Sequence, residues 1–124
     1  MKVAREAEEY AALYLQRLGY AIRARNWRPH PAPYEVDIIA QQGNEMVFVE
    51  VKGRQKGDME EAINAVDLKK QKFIARAANI FLQRQEHLYY YRFDIMALTK
   101  DGHEWDVKHI KDAFMPPLTT GGAV

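Results

Sequence analysis

The sequence predicts an α/β domain in which helices pack against a mixed β-sheet. Residues 4–18 carry apolar side chains at helical spacing, and Val36–Ala40 and Met46–Lys52 are β-branched runs separated by a polar link. A second helical pattern, from about 60 to 85, precedes another strand pattern at 89–98. The resulting order is one helix, three strands, one helix and one or two strands.

The elements of the first half follow from local signals. The helix over 4–18 ends at Gly19, and the alternating residues 20–27 predict a strand. Residues 29–33 contain three prolines and are expected to form a loop, because proline cannot donate a ladder hydrogen bond. The polar residues 41–45 predict a hairpin turn.

The second half is read in the same way. Gly53–Gly57 is expected to be a basic loop, and Asp67 is a candidate N-cap that would divide the helical pattern over 60–85. A turn is expected at 100–102, and residues 104–110 predict a short edge strand.

The length and composition fit a single domain. The chain has 124 residues, of which 48% are hydrophobic, so we expect residues 1–115 to form one domain and residues 116–124 a flexible tail. The absence of cysteine excludes a disulfide scaffold. No apolar stretch approaches the roughly 20 residues that span a bilayer, and no signal peptide is apparent. The expectation is a soluble cytoplasmic protein.

The charge balance does not by itself indicate a partner, because 18 basic residues face 17 acidic ones. The distribution is more informative: residues 10–34 contain four arginines and no acidic residue. Cations here and in the later basic loop would follow a phosphate backbone, while Trp27 stacks on a base. The alternative is a solvated basic surface with a core tryptophan. The candidate nucleic-acid-binding residues are Arg25, Trp27, Arg28, Arg54 and Lys56.

Charged residues interrupt both strands of the predicted hairpin. Asp37 lies in the first strand, and Glu50 and Lys52 replace apolar residues at the end of the second. Two carboxylates and a nearby lysine are the groups with which proteins hold Mg²⁺ against a phosphate. Asp37 meets Glu50 only if the numbers of paired residues sum to an odd value, which requires an even-length loop or a bulge.

The triplet of an acidic residue, any residue and lysine is weak evidence alone, because it also occurs at Asp67–Lys69 and Asp106–Lys108. The hairpin context distinguishes Glu50 and Lys52. The alternative is a solvated edge pair that discourages aggregation and contributes about 0–1 kcal/mol.

Two charged residues lie beside or within the predicted apolar faces of the helices. Glu8 borders the buried stripe of the first helix, and Lys70 lies at the centre of the apolar stripe of the second. Glu8 could simply be a favourable charge in a first turn, and Lys70 must reach solvent or find a carboxylate. Carboxylates about 4 Å apart repel by roughly 4 kcal/mol at an effective dielectric near 20. Without a bound cation, one of them should therefore have a raised pKa.

Several short sequence segments between Ala7 and Phe114 have the order and spacing of a known protein family. They are Ala7-Glu8-Glu9, Gly19-Tyr20, Arg25-Asn26-Trp27-Arg28, Glu35-Val36-Asp37-Ile38-Ile39-Ala40, Val47-Phe48-Val49-Glu50-Val51-Lys52, Arg92-Phe93-Asp94 and His109-Ile110-Lys111-Asp112-Ala113-Phe114. Together they resemble the YraN family (UPF0102), small bacterial proteins related to the PD-(D/E)XK nucleases and similar in core to archaeal Holliday-junction resolvases. The resemblance implies an α/β, restriction-endonuclease-like fold of order α-β-β-β-α-β. Ala7 and Tyr34 stand where the family usually has glycine.

The resemblance also implies roles for single residues. Asp37, Glu50 and Glu8 would be metal-binding acids for Mg²⁺ or Mn²⁺, Lys52 the motif lysine, and Lys70 the lysine of the second helix. The same five would form the catalytic set.

Three functions are compatible with these patterns. The first is a metal-dependent endonuclease acting on DNA, with branched or otherwise structured DNA among its substrates. The second is a module that keeps the nuclease fold and binds nucleic acid without cutting it. The third is a protein-interaction domain, such as a homodimer formed through an exposed strand or the Trp105 edge.

Overall fold

A computed structural model describes residues 2–30, 35–55 and 59–116 and contains a five-stranded mixed sheet flanked by helices. The elements are α1 (Lys2–Arg17), β1 (Ala21–Trp27), β2 (Val36–Gln42), β3 (Glu45–Gln55), α2 (Met59–Asn64), α3 (Leu68–Gln83), β4 (Tyr90–Asp101) and β5 (Glu104–Phe114). The strand order is β1-β2-β3-β4-β5. All neighbouring pairs are antiparallel except β3 and β4, which are parallel. The predicted α/β class is confirmed, and the order is consistent with a nuclease-like fold.

The sheet is covered on both faces, which explains why its central strands are so apolar. On one face α1 packs against β-branched side chains that include Ile38, Val47 and Val49. On the other face α3 packs through Ile74 and Phe81 onto a cluster that includes Phe48. Two helices on opposite faces therefore approach the same central strand, β3.

The long helical pattern divides as expected. Residues 59–64 form α2, and α3 begins after Asp67, whose side chain accepts a hydrogen bond from the backbone N–H of Lys70 at 2.9 Å. Asp67 is thus the N-cap predicted from the sequence. This cap fixes the first turn of α3, which carries Lys70.

The prediction of a loop beginning at Gly53 was wrong for residues 53–55. These residues continue β3, and Gly53 pairs with Leu98 of β4. A Cβ atom at Gly53 would lie 2.6 Å from the Cβ of Ala7 and 3.1 Å from the carbonyl oxygen of Val3. Glycine is therefore required because α1 crosses β3 at this point in direct contact with its backbone.

The last strand is longer than predicted, because it continues past Ile110 to Phe114 through an irregularity. The pairs Phe93–Phe114 and Ile95–Ile110 enclose one residue on β4 and three on β5, and Asp112 has a φ of 53°. Such an insertion bends the strand and ends its regular pairing.

A buried ionic network holds this irregularity in place. Asp94 is fully buried and accepts hydrogen bonds from the Arg92 guanidinium at 2.9 Å and from the backbone N–H of Asp112 at 2.9 Å. Its other oxygen lies 2.7 Å from Nε2 of His109. Burial acts to raise the pKa of Asp94, but the hydrogen bonds from His109, Arg92 and Asp112 outweigh it and lower the pKa.

No helix in the described parts of the chain is long and apolar enough to cross a membrane. The expected tail, residues 116–124, lies outside the described residues except for Pro116. The proposed boundary after residue 115 stays a prediction.

Candidate active site

The hairpin register brings Asp37 and Glu50 to adjacent positions. A two-residue turn, Gly43-Asn44, closes the β2–β3 ladder, so that Ile38 pairs with Val49. The loop length is even, and the condition for Asp37 to share a face with Glu50 is met.

Asp37 stands where the two strands separate. The regular β2–β3 pairing ends at Ile38 and Val49, and beyond it the Asp37 carboxylate accepts a hydrogen bond from the backbone N–H of Val51 at 2.8 Å. The side chain thus satisfies a backbone donor that the diverging strand leaves unpaired.

The environment of Asp37 favours its protonated form. Burial and the negative charge of Glu50 raise the pKa of Asp37 to about 8, with a smaller contribution from Glu8. The hydrogen bond from Val51 and the charge of Lys52 oppose this shift. The expectation that one carboxylate of a crowded pair has a raised pKa is confirmed.

Glu50 is buried, and its two carboxylate oxygens differ in their contacts. Its side chain is 2% exposed, and Oε2 lies 2.9 Å from Nζ of Lys70 and 3.4 Å from Nζ of Lys52. The second oxygen, Oε1, is buried and has no hydrogen-bond partner among the described residues. A buried carboxylate oxygen without a partner is costly, because it loses its water and gains nothing in exchange.

The two lysines differ in their electrostatics. Burial and the adjacent Lys70 lower the pKa of Lys52. Burial also acts to lower the pKa of Lys70, but the hydrogen bond and charge of Glu50 outweigh it and raise that pKa. Lys70 is therefore a stable cation paired with Glu50, as the sequence required of a lysine on an apolar face, whereas Lys52 releases its proton more readily.

Glu8 reaches the edge of this group from α1. Its Oε1 accepts a hydrogen bond from Nδ2 of Asn26 at 2.9 Å, and its charge contributes to the raised pKa of Asp37. Asn26 has a φ of 49°, a conformation that asparagine adopts more easily than most residues. The sequence reasoning did not single out Asn26 as a site residue, although an asparagine inside a strand pattern is a signal of such a conformation.

Two carboxylates, those of Asp37 and Glu50, are the candidate donors for a divalent cation at this site. Within residues 2–30, 35–55 and 59–116, no group of three or more His, Cys, Asp or Glu side chains is arranged to hold a metal ion. Mg²⁺ in phosphoryl-transfer sites commonly uses one or two carboxylates and completes its shell with water and phosphate oxygens. Asp37 and the unpartnered Oε1 of Glu50 fit this requirement, and a metal role for Glu8 stays a prediction.

The candidate nucleic-acid-binding residues do not form one exposed surface, because some pack on the core or form ion pairs within the chain. Trp27 packs on Phe81 with ring centroids 5.3 Å apart, an arrangement that favours the alternative interpretation of a core tryptophan. Arg28 lies 3.5 Å from Glu35, and Arg54 lies 3.1 Å from Glu61. Arg25 is exposed on β1, whereas Lys56 lies outside the described residues, as does Tyr34.

Comparisons with known proteins agree with the resemblance seen in the sequence. The family model described as "Uncharacterised protein family UPF0102" matches residues 7–98. A UPF0102 protein of Bacteroides thetaiotaomicron is 38% identical over 117 residues, which cover 94% of this chain and 95% of that protein. A UPF0102 protein of Phocaeicola vulgatus is 37% identical, with 92% and 93% of the two chains covered. One from Caldicellulosiruptor saccharolyticus is 39% identical, with 86% and 92% covered.

Proposed function

The chain belongs to the uncharacterised protein family UPF0102, and from this premise and the site around Glu50 we propose that it is a metal-dependent endonuclease that hydrolyses phosphodiester bonds in DNA. Branched or otherwise structured DNA is included among the proposed substrates. The observation that carries the proposal is Oε1 of Glu50, which is buried beside the carboxylate of Asp37 and has no hydrogen-bond partner among the described residues.

Asp37 and Glu50 would hold Mg²⁺ or Mn²⁺. When bound, such an ion polarises a phosphoryl oxygen and lowers the pKa of a coordinated water. The chain meanwhile contributes two crowded carboxylates, one of which is largely protonated at neutral pH. A cation would give Oε1 of Glu50 a partner and favour ionised Asp37, so both unfavourable features of the site would be relieved together.

Lys52 and Lys70 contribute positive charge to the site that does not depend on a bound metal. Lys52 has a lowered pKa and a partly buried amine, so it is suited to orient an attacking water and to offset the charge that develops on a phosphate. Lys70 is a positioning residue. Its ion pair at 2.9 Å holds Oε2 of Glu50, which leaves Oε1 as the free oxygen.

The proposal is tested by calorimetric titration of Mn²⁺ and Mg²⁺ into the wild type and Glu50→Gln. Glu86→Gln is the matched control, because Glu86 is exposed just beyond the C-terminal end of α3, far along the helix from Lys70. We expect Glu50→Gln to lose metal binding and Glu86→Gln to keep it. Equal metal affinities in all three proteins would refute the proposed site.

The same proteins are then incubated with linear, single-stranded and four-way-junction DNA. The wild type and Glu86→Gln should cut at least one substrate only when a divalent cation is present, and Glu50→Gln should not. A wild type that binds DNA in a salt-dependent manner but cuts none of these substrates with either ion would refute hydrolysis. That outcome would favour the non-catalytic binding module.

A further inference from the structure

Among residues 2–30, 35–55 and 59–116, no strand pairs with the outer edge of β5. The strand β5 pairs with β4 on one side and is the last strand in the sheet order. Its regular stretch has seven residues, Glu104–Ile110, between the turn at Gly102 and the irregularity at Asp112. A regular, uncovered edge offers backbone N–H and C=O groups to another strand.

The side chains of this stretch alternate between the two faces. Trp105 and Val107 are half-buried and pack on the α1 side, whereas Glu104, Asp106 and Lys108 are exposed on the opposite side. Among the described residues, neither Asp106 nor Lys108 has an ion-pair partner. The exposed face therefore carries charges of both signs that no other residue in the described part of the chain pairs.

Backbone geometry limits how two copies of β5 can pair antiparallel. Only alternate residues direct their N–H and C=O groups away from β4, so every pair must join residues of equal parity. The two-fold axis that relates the two copies must then lie at one residue, which faces the same residue of the second copy, and not midway between two residues.

Charge and the extent of the regular stretch together select one of the permitted registers. An axis at Asp106 or Lys108 sets identical charges opposite each other, and an axis at Trp105 sets Glu104 opposite Asp106. An axis at His109 leaves only Lys108–Ile110 within the regular stretch to pair. An axis at Val107 instead sets Asp106 opposite Lys108 twice. The same axis is the centre of the regular seven-residue stretch, so that all of Glu104–Ile110 pairs.

Apolar surface lies beside this edge on the α1 side. A cleft of about 480 Å³ between α1 and the β4–β5 turn is lined by Tyr10, Leu13 and Trp105, and Leu13 is 51% exposed. An axis at Val107 sets Trp105 of one copy opposite His109 of the second copy, on the α1 side of the combined sheet.

We propose that β5 pairs antiparallel with β5 of a second copy of this chain, about a two-fold axis at Val107, to form a continuous ten-stranded sheet. The cross-strand pairs of Asp106 with Lys108 set the register. This assembly is independent of the carboxylate–lysine site, which lies on β2, β3 and α3.

Charge exchange tests the register directly. In Asp106→Lys both cross-strand pairs become Lys–Lys, and in Lys108→Asp both become Asp–Asp. Each variant should weaken self-association at least about tenfold, since two favourable pairs become repulsive. Asp106→Lys/Lys108→Asp restores opposite charges and should recover the wild-type dimer, and an equimolar mixture of the two single variants should form a heterodimer.

Sedimentation velocity over a range of protein concentrations measures these states, and circular dichroism establishes that the variants fold. Both residues are exposed, so folding should be preserved. A wild type that stays monomeric at the highest attainable concentration would overturn the proposal. So would single variants that dimerise as the wild type does, or a mixture of single variants that stays monomeric.

Discussion

Replacing Asp37 with asparagine should abolish a fall in stability that the metal-free protein undergoes as the pH rises. In the unfolded chain Asp37 ionises near its ordinary pKa of 3.8, whereas in the folded protein its pKa is about 8. Between these values the folded state binds more protons than the unfolded state, so its stability decreases with increasing pH. The contribution of Asp37 is fully present below about pH 4 and is lost as the pH passes through 8. Asparagine does not titrate, and its amide oxygen can still accept the hydrogen bond from Val51.

The size of the effect follows from the same shift. A change from 3.8 to about 8 corresponds to at most about 6 kcal/mol at 1.36 kcal/mol for each pKa unit. Asp37 is only half-buried, and solvent and the charge of Lys52 reduce the cost of ionising it. We therefore expect the free energy of unfolding of the wild type to fall by about 2–3 kcal/mol relative to Asp37→Asn between pH 4 and pH 9.

The assay is urea unfolding at a series of pH values in the presence of a chelator, followed by tryptophan fluorescence. Trp27 and Trp105 pack on opposite faces of the sheet, so the signal reports on both cores. Glu86→Gln is the control and should follow the wild type. Added Mn²⁺ should restore the wild type at high pH and have a smaller effect on Asp37→Asn. Parallel pH profiles for the wild type and Asp37→Asn without metal would refute the reasoning.

Three further predictions concern single elements of the fold and site. Lys52→Met should lower the initial rate of DNA cleavage at least about 100-fold while calorimetry still detects metal binding, and Lys72→Met, on the exposed side of α3, should not. Gly53→Ala should lower the free energy of unfolding by about 1–3 kcal/mol, because the new methyl group meets Ala7, and adding Ala7→Gly should recover much of the loss in urea titrations. Asp94→Asn should lower the free energy of unfolding by about 3 kcal/mol, because the carboxylate that Arg92 and His109 contact is removed. Metal affinity measured by calorimetry should not change, and reduced metal binding by the folded variant would contradict a purely structural role for Asp94.

Local patterns were sufficient for most of the secondary structure. The spacing of apolar residues predicted α1 and the hairpin strands, and the N-cap role of Asp67 was confirmed because a capping side chain acts on its own helix turn. Residues 53–55 were mispredicted as a loop, because their conformation depends on residues that are distant in sequence. They are glycine and polar residues with weak strand preference, and they are extended because β4 pairs with them.

The candidate site was predicted in part. Helical and strand periodicity singled out Glu8, Lys70, Asp37 and Glu50, and the structure pairs the partly exposed Lys70 with the buried Glu50. The contact between Asn26 and Glu8 was missed, because it depends on how β1 approaches α1. Both interpretations of Trp27 were open until its packing on Phe81 was known.

The fold class, the order of the elements and the candidate metal-binding residue types could be inferred from the linear sequence, because periodicity and chemistry are properties of neighbouring residues. The folded chain was needed to show that a two-residue turn puts Asp37 and Glu50 on the same face of the sheet and that burial raises the pKa of Asp37 to about 8. It was also needed to show that Oε1 of Glu50 is buried without a hydrogen-bond partner among the described residues. Register, burial and electrostatic coupling arise between atoms far apart along the chain, and so they exist only once the chain is folded.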